Sequence, residues 1–304
     1  MSYQIRSISF PARSSHHPII LRTEYELNKL QSWQHDRSIS SSSTMAESVF
    51  FSLSRLEELY VCMDGILQLP STRQALSNAQ HSPFVDSLLD ASLKLLDVCT
   101  SSRDATLMIK EGVRELQTAV RRRRIGADSS GGLEMIISNY ICFRKRMKKG
   151  VNRYMALLKQ IEQELEGGSL LPQHPDHHLS SLIRAVRDVI LANASIFESL
   201  LMFVSAQESK TRKVASKWSA LASRFTSKQQ QAVSKSDSKC ASNEFAALDA
   251  ELFEVAKGTT MSGSEIQSMM HGVEMIVDGM ESSLERVFRC LIKARASFLN
   301  IRSH

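Results

Sequence analysis

The end of the chain carries an unbroken heptad pattern of apolar side chains. The apolar positions follow one another in steps of four and three residues. They are Ile266, Met270, Val273, Val277, Met280, Leu284, Val287, Leu291, Ala294, Phe298 and Ile301. This spacing puts them on one side of a helix, which cannot be stable alone in water with such a stripe exposed. We therefore predict one long helix over residues 264–302 that buries the stripe against other parts of the protein.

A second apolar stripe runs beside the first. It consists of Met269, Ile276, Phe288, Ile292 and Leu299. Together the two stripes form a face wider than the seam of a two-stranded coiled coil. The pattern predicts that this helix packs within its own bundle, and that the chain is a monomer rather than a coiled-coil dimer.

Helical periodicity recurs upstream, between clear breaks. Ser82-Pro83 is a typical helix start, and the helix that follows should run to the arginines 121–124. The glycine-containing segment 125–132 then leads into a further helix, which makes an antiparallel hairpin with the first. The predicted helices before the last one are 19–33, 48 to the break at Pro70, 72–79, 82–124, 133–166, 178–207 and 244–257. The helix 178–207 is apolar over a broad face, which predicts a central position.

Two segments lack this periodicity. Residues 1–47 contain two X-Pro steps and the serine-rich run 38–44, and they predict a disordered Ser/Arg-rich tail with one short amphipathic helix. Residues 208–243 are rich in Ser, Lys and Gln, and they predict a mobile basic linker. We expect this linker to be an insert within a single helical bundle domain, 48–304.

Composition supports the helical prediction. The chain has 304 residues, 42% of them hydrophobic, with few prolines and glycines and only 6% aromatics, which favours an all-α bundle of long antiparallel helices. Five scattered cysteines indicate reduced thiols rather than a disulfide framework. We expect a cytoplasmic protein, with a nuclear or membrane-peripheral location as alternatives. The first 23 residues contain three arginines and no acid, which is also typical of an organelle transit peptide, so organelle targeting stays open.

The chain shows little that indicates catalysis. His174, Asp176, His177 and His178 form a cluster of potential metal ligands. They stand in a proline-containing connection without a nearby cysteine, whereas zinc requires three or four ligands in fixed geometry. A solvated helix entrance is the better interpretation. With no phosphate-binding loop, dinucleotide fingerprint or nucleophile motif, we predict no catalytic residue, metal or cofactor.

A short motif near the N-terminus suggests regulation. Arg6-Ser7-Ile8-Ser9-Phe10-Pro11 places arginine three residues before Ser9, which is typical of basophilic kinase sites, and R-S-x-S-x-P resembles the phosphoserine motif that 14-3-3 proteins bind. A phosphate on Ser9 would add nearly two negative charges and three acceptor oxygens. The competing interpretation is a serine-rich tail that matches by chance. Our hypothesis names Arg6, Ser7, Ser9 and Pro11 as a phosphorylation site for a 14-3-3-type reader.

Positive charge is concentrated in two stretches. Residues 121–153 carry a local charge of +8 and residues 208–243 a local charge of +6, whereas the whole chain carries +6. The predicted basic surface consists of Arg121, Arg122, Arg123, Arg124, Arg144, Lys145, Arg146, Lys148 and Lys149. Such a surface suits anionic lipid, an acidic protein or nucleic acid. Nucleic acid is disfavoured because no stacking aromatics accompany the charges, and a basic face that serves only solubility is the simplest alternative.

Several stretches resemble a plant-specific family, catalogued as domain of unknown function 241 and grouped with the BYPASS-type proteins. The matching stretches are RSISFP with His17-Pro18, LQLPSTRQAL, LLDASLKLLDVC, KEGVRELQTAVRRRR, FESLL and the end LIKARASFLNIRSH. They span nearly the whole chain in order. The resemblance implies a helical plant protein associated with root and shoot development, and it supplies no catalytic residues.

These observations lead to one favoured function and two alternatives. The favoured function is a non-enzymatic interaction or scaffold protein of plant root and shoot development, regulated by phosphorylation of the RSISFP motif. The first alternative is a peripheral membrane protein that binds anionic lipid through its basic clusters. The second is a nucleic-acid-associated protein.

Overall fold

The fold is all-α, as predicted, and eight helices with no strand make up the described residues. The structure is a computed structural model that describes residues 17–39, 44–78, 81–124, 131–166, 177–206, 243–257 and 263–303. The helices are α1 (Pro18–Ile39), α2 (Met45–Gln68), α3 (Pro70–Leu76), α4 (Ser82–Arg124), α5 (Gly132–Glu166), α6 (His177–Val204), α7 (Glu244–Ala256) and α8 (Gly263–Ser303). The predicted tip of the hairpin between α4 and α5, and nearly all of the predicted linker 208–243, lie outside the described residues.

Local side-chain chemistry fixes several helix ends. Leu69 is extended and ends α2 before Pro70, as the proline predicted. Asn243 caps α7 by accepting hydrogen bonds from the backbone N–H groups of Phe245 and Ala246. Thr44 and Glu47 form a reciprocal capping box. This box starts α2 at Met45, three residues before the predicted start, and shows that the prediction overlooked the cap.

The helices α4 and α8 run antiparallel along most of their length, and their charges define the alignment. The basic half of α4 meets the acidic half of α8: Lys110 Nζ lies 2.8 Å from Asp278 and 2.7 Å from Glu281. At the other end the signs are reversed, since Arg302 of α8 lies 2.8 Å from Asp86 of α4. A parallel arrangement would bring like charges together. The charge pattern therefore favours the observed direction over its reverse.

The helices α2 and α8 run parallel, a pairing that the predicted bundle of antiparallel helices did not include. Glu57 pairs with Arg286 at 2.9 Å and Asp64 pairs with Lys293 at 2.9 Å, with the same sequence offset of 229 in both pairs. Gly279 permits the close approach, because a Cβ there would lie 2.9 Å from Phe50 Cζ. The helix α8 thus has an antiparallel neighbour on one side and a parallel neighbour on the other.

The core is continuous and has α6 near its centre. Every residue from Ala185 to Glu198 is buried, which confirms the central position predicted from its broad apolar face. All eleven residues of the heptad seam in α8, from Ile266 to Ile301, are at most 7% exposed. The seam therefore faces the interior of the chain's own bundle.

The first helix belongs to this core. Ile20, Leu27 and Leu30, the predicted inward residues, are at most 2% exposed, and Arg55 of α2 lies 3.0 Å from Glu26 of α1. The helix packs on α2 and α6 and extends to Ile39, beyond the predicted end at residue 33. The domain boundary near residue 47 stays a prediction, but α1 packs with the residues that follow that boundary.

Candidate interaction surface

Four cations project from the outer side of α5. Lys145, Arg146, Lys149 and Arg153 are all exposed, and we call them the basic face of α5. The opposite side of the helix carries the apolar residues that anchor it in the core. These residues are Leu133, Ile137, Tyr140, Val151, Leu158, Ile161 and Leu165. The fold thus holds the four cations on a rigid element.

The basic face of α5 has no acidic residue interleaved with it. No Asp or Glu occurs from Met135 to Ile161, and among the described residues no ion pair involves any of the four cations. At about 100° per residue, Arg146, Lys149 and Arg153 point within about 60° of one another. Met135, which is 62% exposed, and the exposed Cys142 share this direction. With Lys145, the four cations cover about 100° of the helix circumference over roughly 12 Å along its axis.

Arg144, which the sequence analysis assigned to the basic surface, is instead buried at 2% exposure. Its guanidinium donates to both carboxylate oxygens of Asp249 on α7, at 2.8 to 3.1 Å, and to the Val204 carbonyl at the end of α6, at 2.8 Å. The ring of Phe245 lies 5.5 Å from the guanidinium carbon. That part of the prediction is wrong, because Arg144 is a structural residue that joins three helices.

The position of Arg144 in the helix explains its role. It occupies the same heptad position as the buried residues Ile137, Val151, Leu158 and Leu165, so its inward direction could have been predicted. Its partner Asp249 is 105 residues away, and no sequence signal indicates that pairing. Lys148 also lies 3.2 Å from Asp249, so one of the predicted surface cations is partly neutralised by the same carboxylate.

The arginines at the end of α4 form a separate basic group. Arg121, Arg122 and Arg123 are exposed, as predicted, whereas the side chain of Arg124 lies outside the described residues. Arg123 faces Glu134 of α5 at 3.8 Å. The opposing carboxylate makes this group a weaker candidate for an anion-binding surface than the basic face of α5.

A shallow groove of about 390 Å³ lies between α4 and the start of α8. Its lining includes Arg121, Gln117, Ser264, His271 and Glu274. Hydrogen bonds from Gln117 and Arg114 lower the pKa of the Glu274 carboxyl. Glu274 therefore stays ionised and gives the groove mixed charge, which does not favour an anionic ligand.

Most of the remaining predicted functional residues lie outside the described residues. Arg6, Ser7, Ser9 and Pro11 lie outside the described residues, as do His174 and Asp176. His177 begins α6 and is exposed. In the described ranges, no group of three or more His, Cys, Asp or Glu side chains could hold a metal ion.

The described thiols other than Cys142 are poorly suited to nucleophilic chemistry. Burial raises the pKa of Cys99 to about 12, and it also raises the pKa of Cys62 and of Cys290. The Cys99 thiol lies 3.7 Å from the Leu284 carbonyl inside the core. Because the thiolate is the reactive form, these cysteines act as apolar side chains.

The fold and the surface define a class: an all-α bundle whose described helices include none long and apolar enough to cross a membrane. A family model described as "Protein BPS1" matches residues 52–301. The chain therefore belongs to this plant family, related to the BYPASS proteins and to domain of unknown function 241, which is involved in plant development. Comparison with curated proteins and with solved structures produced no match.

Proposed function

We propose that this chain is a non-enzymatic interaction protein of plant root and shoot development, and that it binds an anionic partner through the basic face of α5. The family supports the developmental role. The observation that carries the proposal is the set of four exposed cations, Lys145, Arg146, Lys149 and Arg153, in a stretch of α5, residues 135–161, that contains no Asp or Glu.

The contrast within α5 shows why this face is suited to a partner. Arg144 already has its hydrogen-bond acceptors inside the fold, and Lys148 contacts Asp249. The four outer cations form no comparable contact with the other described residues. They are held in fixed positions by a rigid helix, so their combined field can attract an anionic surface and increase its rate of encounter.

The test is retention of the full chain on an immobilised polyanion such as heparin, with elution by salt. The variant Lys145→Gln, Arg146→Gln, Lys149→Gln, Arg153→Gln removes the basic face of α5. Its control is Arg22→Gln, Arg73→Gln, Arg184→Gln, Arg289→Gln, which removes four exposed cations elsewhere and produces the same change in net charge.

We expect the α5 variant to elute at much lower salt than wild type, and the control variant to elute close to wild type. Equal shifts for the two variants would show that only net charge matters, and would overturn the proposal. Far-ultraviolet circular dichroism of each variant verifies that the helices are intact.

A second element of the proposal concerns regulation through Ser9. The motif Arg6-Ser7-Ile8-Ser9-Phe10-Pro11 supports it, since arginine at minus three and proline at plus two suit a basophilic kinase and a 14-3-3-type reader. A phosphate there supplies charge-assisted hydrogen bonds to an arginine cluster of the reader. Phosphorylation would then assemble a complex at the N-terminus, separately from the basic face of α5.

A peptide spanning residues 1–18, with and without phosphate on Ser9, tests this element by fluorescence polarisation against a 14-3-3 protein. We expect binding of the phosphorylated peptide alone, and its loss on Arg6→Ala. Equal affinity without the phosphate, or no affinity with it, would remove this part of the proposal and leave the α5 surface untouched.

A further inference from the structure

We infer that the anionic partner of the basic face of α5 is the headgroup surface of an anionic membrane. The inference rests on the proposed function and narrows its partner to one class. Clusters of Lys and Arg on one side of a helix are attracted to anionic leaflets, each cation contributing measurably near the surface. The stripe from Lys145 to Arg153 provides four such cations on one side of a helix.

The composition of the face is more typical of lipid contact than of a protein interface. Specific protein interfaces depend on a desolvated centre that is rich in Trp, Tyr and Arg and depleted in Lys. The aromatic residues of α5 are not available for that role, because Tyr140 is buried and Phe143 and Tyr154 are half-buried. A charged surface without such an anchor suits a partner that requires no fixed shape.

The packing around α5 disfavours a nucleic acid duplex. The major groove is about 12 Å wide and admits a single protruding helix. The helix α5 is packed against α4, α6 and α7, so it is a wall of the bundle and not a separately protruding helix. A planar surface can instead approach the stripe from outside without displacing any helix.

Two further side chains on the same side of α5 fit an interfacial position. Met135 is 62% exposed, and it points in nearly the same direction as Arg146 and Arg153 at about 100° per residue. Cys142 lies between them and is exposed. Met135 lies in line with the cations, about 15 Å from Lys145 along the helix axis, so on a surface parallel to α5 it can enter the headgroup region while the cations contact phosphates and carboxylates.

Co-sedimentation of the full chain with large vesicles tests the inference. The vesicles are phosphatidylcholine alone or phosphatidylcholine with phosphatidylserine, at low and at physiological salt. Wild type is compared with the four-residue α5 variant and with its matched control at Arg22, Arg73, Arg184 and Arg289. Each cation near an anionic leaflet strengthens binding about fivefold, so loss of four in full contact would lower partitioning roughly 600-fold. We expect the α5 variant to lose at least ~30-fold, which corresponds to about two cations in full contact. The control variant should bind as wild type does. Neither wild type nor the control should co-sediment with vesicles of pure phosphatidylcholine.

The possible outcomes separate this inference from the proposed function. If wild type does not bind phosphatidylserine vesicles but binds polyglutamate or duplex RNA through the same four residues, the membrane inference is overturned and the proposed function stands. If none of these polyanions binds, both fall. If the matched control loses as much binding as the α5 variant, the contact is unspecific charge attraction and the inference fails. If a Met135→Ser variant binds as wild type does, insertion of the Met135 side chain is contradicted, whereas the role of the four cations is not affected.

Discussion

The interface between α4 and α8 and the outer side of α5 both carry many charges, but they use them differently. Between α4 and α8, Lys110 faces Asp278 and Glu281, Arg114 faces Glu274, and at the far end Arg302 faces Asp86. On the outer side of α5, Lys145, Arg146, Lys149 and Arg153 have no acidic partner among the described residues. The first set defines how two helices align, and the second remains available to another molecule.

The difference shows why local net charge is a poor guide to a binding surface. Arg144 and Arg146 are two residues apart and chemically identical, yet one is buried against Asp249 and the other is exposed. What distinguishes them is the face of the helix, and thus the packing. The following predictions, in order of expected effect, test this separation.

The largest effect should come from removing the apolar contacts beneath the charged interface. Leu284 is fully buried in the seam of α8, and we expect Leu284→Ala to reduce the free energy of unfolding by about 3 to 5 kcal/mol, because the cavity left behind adds to the lost transfer energy. Chemical denaturation measures it. The control is Met275→Ala at a site 61% exposed, where a change of more than about 1 kcal/mol would contradict the burial pattern.

The second prediction compares two cations of α5. Arg144→Met leaves Asp249 partly buried without its main partner, so we expect a loss of about 2 to 3 kcal/mol in the free energy of unfolding. Lys148 Nζ still lies 3.2 Å from Asp249, so the loss of stability should be smaller than for a fully unpaired carboxylate. Arg146→Met should change stability by no more than about 0.5 kcal/mol. Similar losses for the two variants would contradict their separation into structural and free charges.

The third prediction concerns the orientation encoded between α4 and α8. Arg114→Glu places a second carboxylate beside Glu274. The double variant Arg114→Glu, Glu274→Arg, which we call the swap, restores a pair of opposite charges. Because Arg114 is about half exposed, we expect a loss of about 0.5 to 1 kcal/mol for the single variant and recovery of most of it in the swap. A swap as unstable as the single variant would mean that the pairing does not contribute to the alignment.

The smallest expected effect is a dependence of stability on pH. Folding lowers the pKa of Glu274 below its ordinary value of 4.5, through Gln117 and Arg114. The unfolded chain therefore binds the proton more readily, so this stabilisation is complete above pH 4.5 and is lost as pH falls through the folded pKa. We expect the Glu274→Gln variant to show a shallower acid dependence than wild type in denaturation series. If the free energy of unfolding falls with pH equally steeply in both proteins, Glu274 does not contribute to the acid dependence of stability.

Much of the fold follows from the sequence, because apolar periodicity and helix breakers are local signals. The ends of α4, α5 and α8 fell within one residue of prediction, since Ser82-Pro83, the glycine at 132 and the α8 seam mark them. The parallel packing of α2 and α8 could not be predicted, because it depends on which helices become neighbours.

The burial of Arg144 had a local signal in its heptad position, but its partner Asp249 is 105 residues distant. The basic surface was predicted as a charge cluster, and only packing showed which of its members are exposed.

The most direct test of the central claim is the acylation rate of individual lysines, measured by mass spectrometry with and without a polyanion. Hydrogen bonds to Asp278 and Glu281 raise the pKa of Lys110. Burial acts to lower the pKa of Lys94, but its contacts with Asp90 and Glu164 together outweigh burial and leave that pKa raised. We expect Lys110 and Lys94 to react slowly under both conditions, and Lys145 and Lys149 to react fast in the free protein and slowly with the polyanion. Protection of Lys94 and Lys110 in place of Lys145 and Lys149 on binding would contradict the account.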